Sequence, residues 1–125
     1  MEAHVIKINS NKVQVYTRFG CVWGEWCSPV PADLKKYILE IDSDDIITFD
    51  NIRLSKYLEP QMKYDNGNVC LNGTVDEIED GVMILRLSNA IVMLQIQNDR
   101  DFSIFVNKFV CVTLKNIQFY DTGIY

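Results

Sequence analysis

The chain has 125 residues, 48% of them apolar and 23% charged, the balance of one ordinary soluble domain. Seventeen Asp and Glu against twelve Lys and Arg leave a net charge of −5, which repels a phosphate backbone and favours a basic partner. No apolar run approaches the roughly 18 residues of a membrane span, and Met1-Glu2-Ala3-His4 has neither the basic nor the apolar part of a signal peptide, so a cytoplasmic protein is the expectation.

The dominant pattern is period two. Val5, Ile6 and Ile8 lead through Asn9-Ser10-Asn11 into Val13, Val15, Thr17 and Phe19, which alternate with Lys12, Gln14, Tyr16 and Arg18. This predicts a hairpin whose second strand is half buried, with an unpaired edge over residues 13–19 open to a partner strand. His4, the only imidazole, falls in the first strand near an edge and has no recognisable base–nucleophile partner. Next comes Cys21-Val22-Trp23-Gly24-Glu25-Trp26-Cys27. Five residues separate the two cysteines, too many for a zinc knuckle, so no metal is expected. If Trp23 points inward on the period-two pattern, Trp26 is the exposed one, and Trp is a frequent interface anchor.

Residues 34–42 fit either a helix after Pro31 or a strand. The alternation of Tyr37, Leu39 and Ile41 with Ile38, Glu40 and Asp42 favours strand, with at most a short helical turn after Pro31. Ser43-Asp44-Asp45 then turns the chain into Ile46-Ile47-Thr48-Phe49. In the second half, residues 73–79 and 82–87 face each other across Asp80-Gly81, the signature of a type I′ hairpin. Residues 90–96 are apolar at both parities and read as a central strand. A polar loop, residues 98–101, precedes a last run, 109–120, long enough to bend around a barrel corner. Cys70 and Cys111 lie in apolar runs and read as reduced thiols packed in the core; a chain this long needs neither disulfide nor metal to fold. No internal repeat, low-complexity tract or linker appears, so residues 1–125 form one domain. The class is all-β and mainly antiparallel, a small barrel or sandwich, and residues 69–120 resemble an OB-type small barrel.

No Gly-rich phosphate loop, nucleophile elbow or His-Glu-x-x-His is present, so neither enzyme activity nor a cofactor is expected. The acids, however, are unevenly placed. Glu40, Asp42, Asp44, Asp45 and Asp50 occupy residues 37–52, and Asp65, Asp76, Glu77, Glu79 and Asp80 occupy residues 64–85 before Arg86, both without Lys or Arg. Asp42-Ser43-Asp44-Asp45 lacks the glycine and bidentate glutamate of an EF-hand loop. One reading is solvated hairpin tips; the sharper one is a negative surface that steers a basic protein. The contact set on that reading is Asp42, Asp44, Asp45, Asp76, Glu77, Glu79 and Asp80, with Trp26 or Tyr64 as apolar anchor. The alternative is an OB-like nucleic-acid-binding or protein-interaction module using exposed aromatics. It would need Lys7, Lys12, Arg18, Lys35 and Lys36 to converge on one face.

The segment from Trp26 to Pro31, the acidic strand Tyr37-Ile38-Leu39-Glu40-Ile41-Asp42, the β-rich second half and the ending Asn116-Ile117-Gln118-Phe119-Tyr120-Asp121-Thr122-Gly123-Ile124 follow one another in an order that resembles small immunity proteins. These are encoded beside bacterial polymorphic toxins, including those of contact-dependent growth inhibition systems. The resemblance implies a cytoplasmic inhibitor that binds a cognate toxin domain, often a basic nuclease, and covers its active site, with no membrane or direct nucleic-acid contact. It transfers no binding residue.

Overall fold

A computed structural model describes residues 1–124. Twelve strands follow in order: β1 (Glu2–Asn9), β2 (Lys12–Thr17), β3 (Gly20–Trp26), β4 (Lys36–Asp42), β5 (Ile46–Ile47), β6 (Ile52–Leu54), β7 (Gln61–Asp65), β8 (Asn68–Glu79), β9 (Val82–Leu87), β10 (Ala90–Ile96), β11 (Phe109–Leu114) and β12 (Gln118–Asp121). Two short 3-10 turns, Phe49–Asn51 and Phe102–Phe105, are the helical elements among the described residues. Residues 36–42 are strand, and the segment after Pro31 has no helical turn.

The strands form a closed barrel in the order β1-β2-β3-β12-β4 and a larger sheet in the order β5-β10-β9-β8-β11-β6, with β7 added beside β8. The expected class, all-β and mainly antiparallel, holds. Alternation explains the barrel wall: Val13, Val15 and Thr17 of β2 point inward and are buried, while Lys12 and Tyr16 stand in solvent. β2 is paired on both sides, by β1 and by β3, so residues 13–19 offer no free edge. β1 is likewise paired by β2 and β4, which places His4 inside the wall instead of near an edge. The first expectation failed because β3, the very next strand, covers the edge of β2, and the second because β4, from later in the chain, covers the edge of β1.

The two halves share one plan. β9 (Val82–Leu87) and β10 (Ala90–Ile96) begin 70 residues after β2 (Lys12–Thr17) and β3 (Gly20–Trp26), and bulges interrupt both β1 and β8 at the same offset, between Val5 and Lys7 and between Val75 and Glu77. In the first unit β12 runs parallel to β3 and antiparallel to β4. In the second, β5 runs parallel to β10 and β6 antiparallel to β11, and both belong to residues 46–54. Each unit thus takes its last strand from the other half of the chain. No repeat was legible in the sequence because the halves share burial positions (Val5 and Val75, Val15 and Leu85, Val22 and Val92) and little side-chain chemistry. The exchange also explains why one contiguous core runs through both units.

Turn chemistry sets the register. Asp80-Gly81 adopts positive φ at both positions, as its hairpin requires, and so does Asn66-Gly67, which joins β7 to β8. Gly20 has φ +142°, and a Cβ there would stand 2.0 Å from the Met62 carbonyl oxygen, so the β7 backbone lies directly on the end of β2–β3. The Met62 N–H donates to the Phe19 carbonyl at 2.9 Å across the same contact.

Cys70 and Cys111 are joined as a disulfide, not held as separate reduced thiols. Cys70 of β8 faces Thr113, and Cys111 of β11 faces Asn72, so the cysteines are diagonal neighbours on adjacent strands with Cα atoms 6.3 Å apart. Sequence position 41 residues apart concealed this pairing. Reduction should lower unfolding free energy by about 3–4 kcal/mol, the loop-closure entropy that a cross-link spanning 41 residues removes from the unfolded chain. Urea denaturation with and without dithiothreitol measures it; identical midpoints would show that the bridge contributes nothing.

Candidate functional site: an apolar strip between two acidic banks

β10 lies next to the two-residue edge strand β5, not at the centre of its sheet as its apolar run suggested, and only one of its faces is covered. Val92, Leu94 and Ile96 are buried, whereas Ile91 and Met93 are 50% and 58% exposed on the other face. The register extends this outward face across the sheet. Met93 lies opposite Ile84 of β9, and Ile84 opposite Glu77 of β8; one row on, Gln95, Val82 and Glu79 align in the same way. Directly opposed residues share a face, so Glu77 and Glu79 stand two strand spacings, about 10 Å, from Met93 and Gln95.

On its other side β10 packs beside β4. Ile91 and Met93 line a depression of about 520 Å³ together with Glu40, Ile41, Asp42 and Tyr120. Glu40 and Asp42 alternate with buried Leu39 and Ile41 and therefore face outward together. The result is an apolar strip of Ile84, Met93 and Ile91 flanked by Glu77 and Glu79 on one bank and Glu40 and Asp42 on the other, with Tyr120 on the far side of Glu40, which it opposes across β4 and β12. An apolar centre with a charged rim is the usual anatomy of a protein-binding surface.

The predicted acidic residues divide by what they touch. Asp42 accepts the Ser43 N–H at 2.8 Å, and Asp44 Oδ2 accepts from Gln118 Nε2 at 2.7 Å, so both remain at the bank while organising the turn. Asp45 Oδ2 accepts the Lys115 backbone N–H, tying the turn after β4 to the segment before β12. Asp76 is neutralised by Arg86, whose Nε donates to Asp76 Oδ2 at 2.6 Å. Asp80 is in the tight turn of its hairpin. The structure does not bring either proposed anchor to this face. Val22 and Gly24 take the inward positions of β3, which turns Trp23 outward; Trp26 packs edge-on against Tyr37 at 5.0 Å and donates its Nε1–H to the Val30 carbonyl at 2.7 Å. Tyr64, 44% exposed, lines a separate cleft with Trp23.

Sequence reasoning left out Glu40, Ile91, Met93 and Tyr120 as contact residues. The i, i+2 spacing of Glu40 and Asp42 carried the first signal. Ile91 and Met93 were hidden because a run apolar at both parities looks buried on both faces.

The local field is legible in titration behaviour. Glu79, through a hydrogen bond and its charge, raises the Glu77 pKa above the ordinary glutamate value, with lesser contributions from desolvation and Asp76. Desolvation raises the Cys27 thiol, Glu25 adds to this, and Asp44 and Asp42 push the same way against a lowering hydrogen bond from Tyr120. Tyr120 is raised by desolvation, then by Cys27, Asp42 and Asp44. A raised carboxylate pKa in the folded state means that the group favours folding at low pH and loses that contribution as pH rises through its folded pKa. NMR titration should therefore find Glu77 titrating above ordinary glutamates, and Glu79→Gln should return it toward them; an unchanged Glu77 in that variant would show that the pair does not interact. No group of three or more His, Cys, Asp and Glu among the described residues is arranged to hold a metal ion.

No protein-family model, curated protein or solved structure matches this chain. Function must be read from the surface itself. None of the described helices is long and apolar enough to cross a membrane. Four of the five basic residues that a nucleic-acid face would need are engaged at different places: Lys36 pairs with Glu2 at 3.0 Å, Lys35 lies over the Tyr37 ring, Arg18 lies over Phe19, and Lys12 lines the Trp23 cleft.

Proposed function

We propose that this protein is an immunity protein, a non-enzymatic inhibitor that binds a basic toxin domain, in particular a nuclease, and covers its active site. The observation that carries the proposal is the convergence of Glu40 and Asp42 from one acidic run and Glu77 and Glu79 from the other on the two sides of one exposed apolar strip. A nuclease groove built for phosphate presents Lys and Arg, which these carboxylates can pair with while Met93 and Ile91 supply the desolvated centre. On this reading the compartment is the cytoplasm, where such a toxin acts.

The test uses the C-terminal domain of a large secreted protein encoded immediately upstream. The purified domain should bind this chain tightly, with an association rate that falls steeply as salt increases. Absence of such a neighbour, or binding indifferent to salt, would count against the proposal.

A further inference from the structure

A cleft of about 260 Å³ lies between the barrel and the β7–β8 hairpin, apart from the acidic face. Its wall combines two aromatic side chains, Trp23 and Tyr64, with two lysines, Lys12 and Lys115, and the amides of Asn9 and Asn116; Glu25 also lines it. Trp23 is there because Gly24 takes the inward position beside it, where a Cβ would stand 2.4 Å from the Phe119 ring. Tyr64 is held by the Asn66-Gly67 turn and by the backbone contact of Met62 with Phe19 and Gly20.

The remaining wall is also fixed before any ligand arrives. The Lys115 N–H donates to Asp45, the Asn116 carbonyl accepts from Ser43 Oγ at 2.7 Å, and the Ile117 carbonyl accepts the Glu25 N–H at 2.9 Å. Neither lysine is ion-paired among the described residues, although the chain carries an excess of acids. Two unpaired ammonium groups beside two half-exposed rings form a local site for an anion with an aromatic part.

We propose that this cleft binds a nucleoside phosphate, with its base against Trp23 and Tyr64 and its phosphate between Lys12 and Lys115. Asn9, Asn116 and Glu25 offer acceptors and donors to the base edge. A free nucleotide fits better than a strand, because the volume accommodates about one nucleotide and the net charge of −5 repels a polyanion. The site is separate from the strip proposed to bind a toxin and does not depend on it.

Isothermal titration of the intact protein with nucleoside monophosphates, the parent nucleosides, glucose and a ten-base single strand tests the proposal. Monophosphates should bind saturably below about 1 mM and at least about tenfold more tightly than nucleosides. Lys12→Ala and Lys115→Ala should each remove most of that phosphate preference, and Tyr64→Ala should weaken nucleotide and nucleoside alike, all with unchanged circular dichroism. Amide shifts at Trp23 and Lys115 on adding nucleotide would place the ligand. The proposal is overturned if no monophosphate binds, if nucleosides or glucose bind equally well, or if the lysine variants leave the preference intact. Tighter binding of the strand than of the monophosphate, lost in the same lysine variants, would assign the cleft to nucleic acid and refute the free-nucleotide reading.

Discussion

Phe119→Ala should destabilise the protein by about 4 kcal/mol, the cost of truncating a fully buried aromatic without refilling its space. Phe119 is completely buried on β12, the strand that runs parallel to β3 and antiparallel to β4 and so closes the barrel. Gly24 leaves the room that its ring fills. The loss should not be confined to that barrel. Because β12 comes from the second half of the chain and β5–β6 from the first, neither unit has a complete set of strands without the other. Urea denaturation followed by tryptophan fluorescence and by circular dichroism should therefore show one shared transition, shifted to lower urea with an unchanged slope. Separate transitions for the two probes would show that the units fold independently, contrary to the single core.

The second large effect concerns the exposed face. Reversing both banks, with Glu40→Lys, Asp42→Lys, Glu77→Lys and Glu79→Lys together, should weaken binding to the cognate basic domain by about 1,000-fold or more at low salt, mainly through association. Either bank reversed alone should give a smaller loss of the same kind. Met93→Ala should act differently, raising the dissociation rate about 30-fold if Met93 is a desolvated anchor worth about 2 kcal/mol. Asp76→Asn is the internal comparison: its carboxylate is already paired with Arg86, so its loss should change binding far less. All of these side chains are at least partly exposed, and single substitutions among them should leave stability within about 0.5 kcal/mol. Stopped-flow association and dissociation rates separate the two contributions.

Much of the wall was legible in the sequence, and the closure was not. Val13, Val15 and Thr17 announced their strand by alternation, Asp80-Gly81 announced its hairpin, and Tyr37, Leu39 and Ile41 favoured strand over helix correctly. The Asn66-Gly67 turn carried an equally strong signal that went unused. Pairing between distant segments leaves little trace in a single sequence, because hydrogen-bond partners in a sheet impose only face and parity. For that reason the parallel contact of β12 with β3, the β5–β6 exchange and the Cys70–Cys111 bridge emerged only in three dimensions.

The candidate face was half legible for the same reason. Runs of carboxylates without Lys or Arg are visible by inspection: Glu40 and Asp42 belong to one such run, Glu77 and Glu79 to the other. That Glu40 and Asp42 meet Met93 and Ile91, and that Glu77 lies two strands away on the same surface, depends on sheet register. Arg86, just outside the second acidic run, neutralises Asp76 by standing opposite Thr74 across the sheet, and Trp26 is occupied by Tyr37 and Val30. Neither the pairing that occupies Asp76 nor the one that occupies Trp26 is visible in the sequence alone.

Growth of cells producing the upstream-encoded toxin domain, with this protein or with its four-carboxylate reversal supplied from a second plasmid, is the decisive measurement. The unaltered protein should restore growth, and the reversed variant, folded and equally abundant, should not. Equal protection by both would show that the acidic face does not bind the toxin, and protection by neither would refute the immunity function itself.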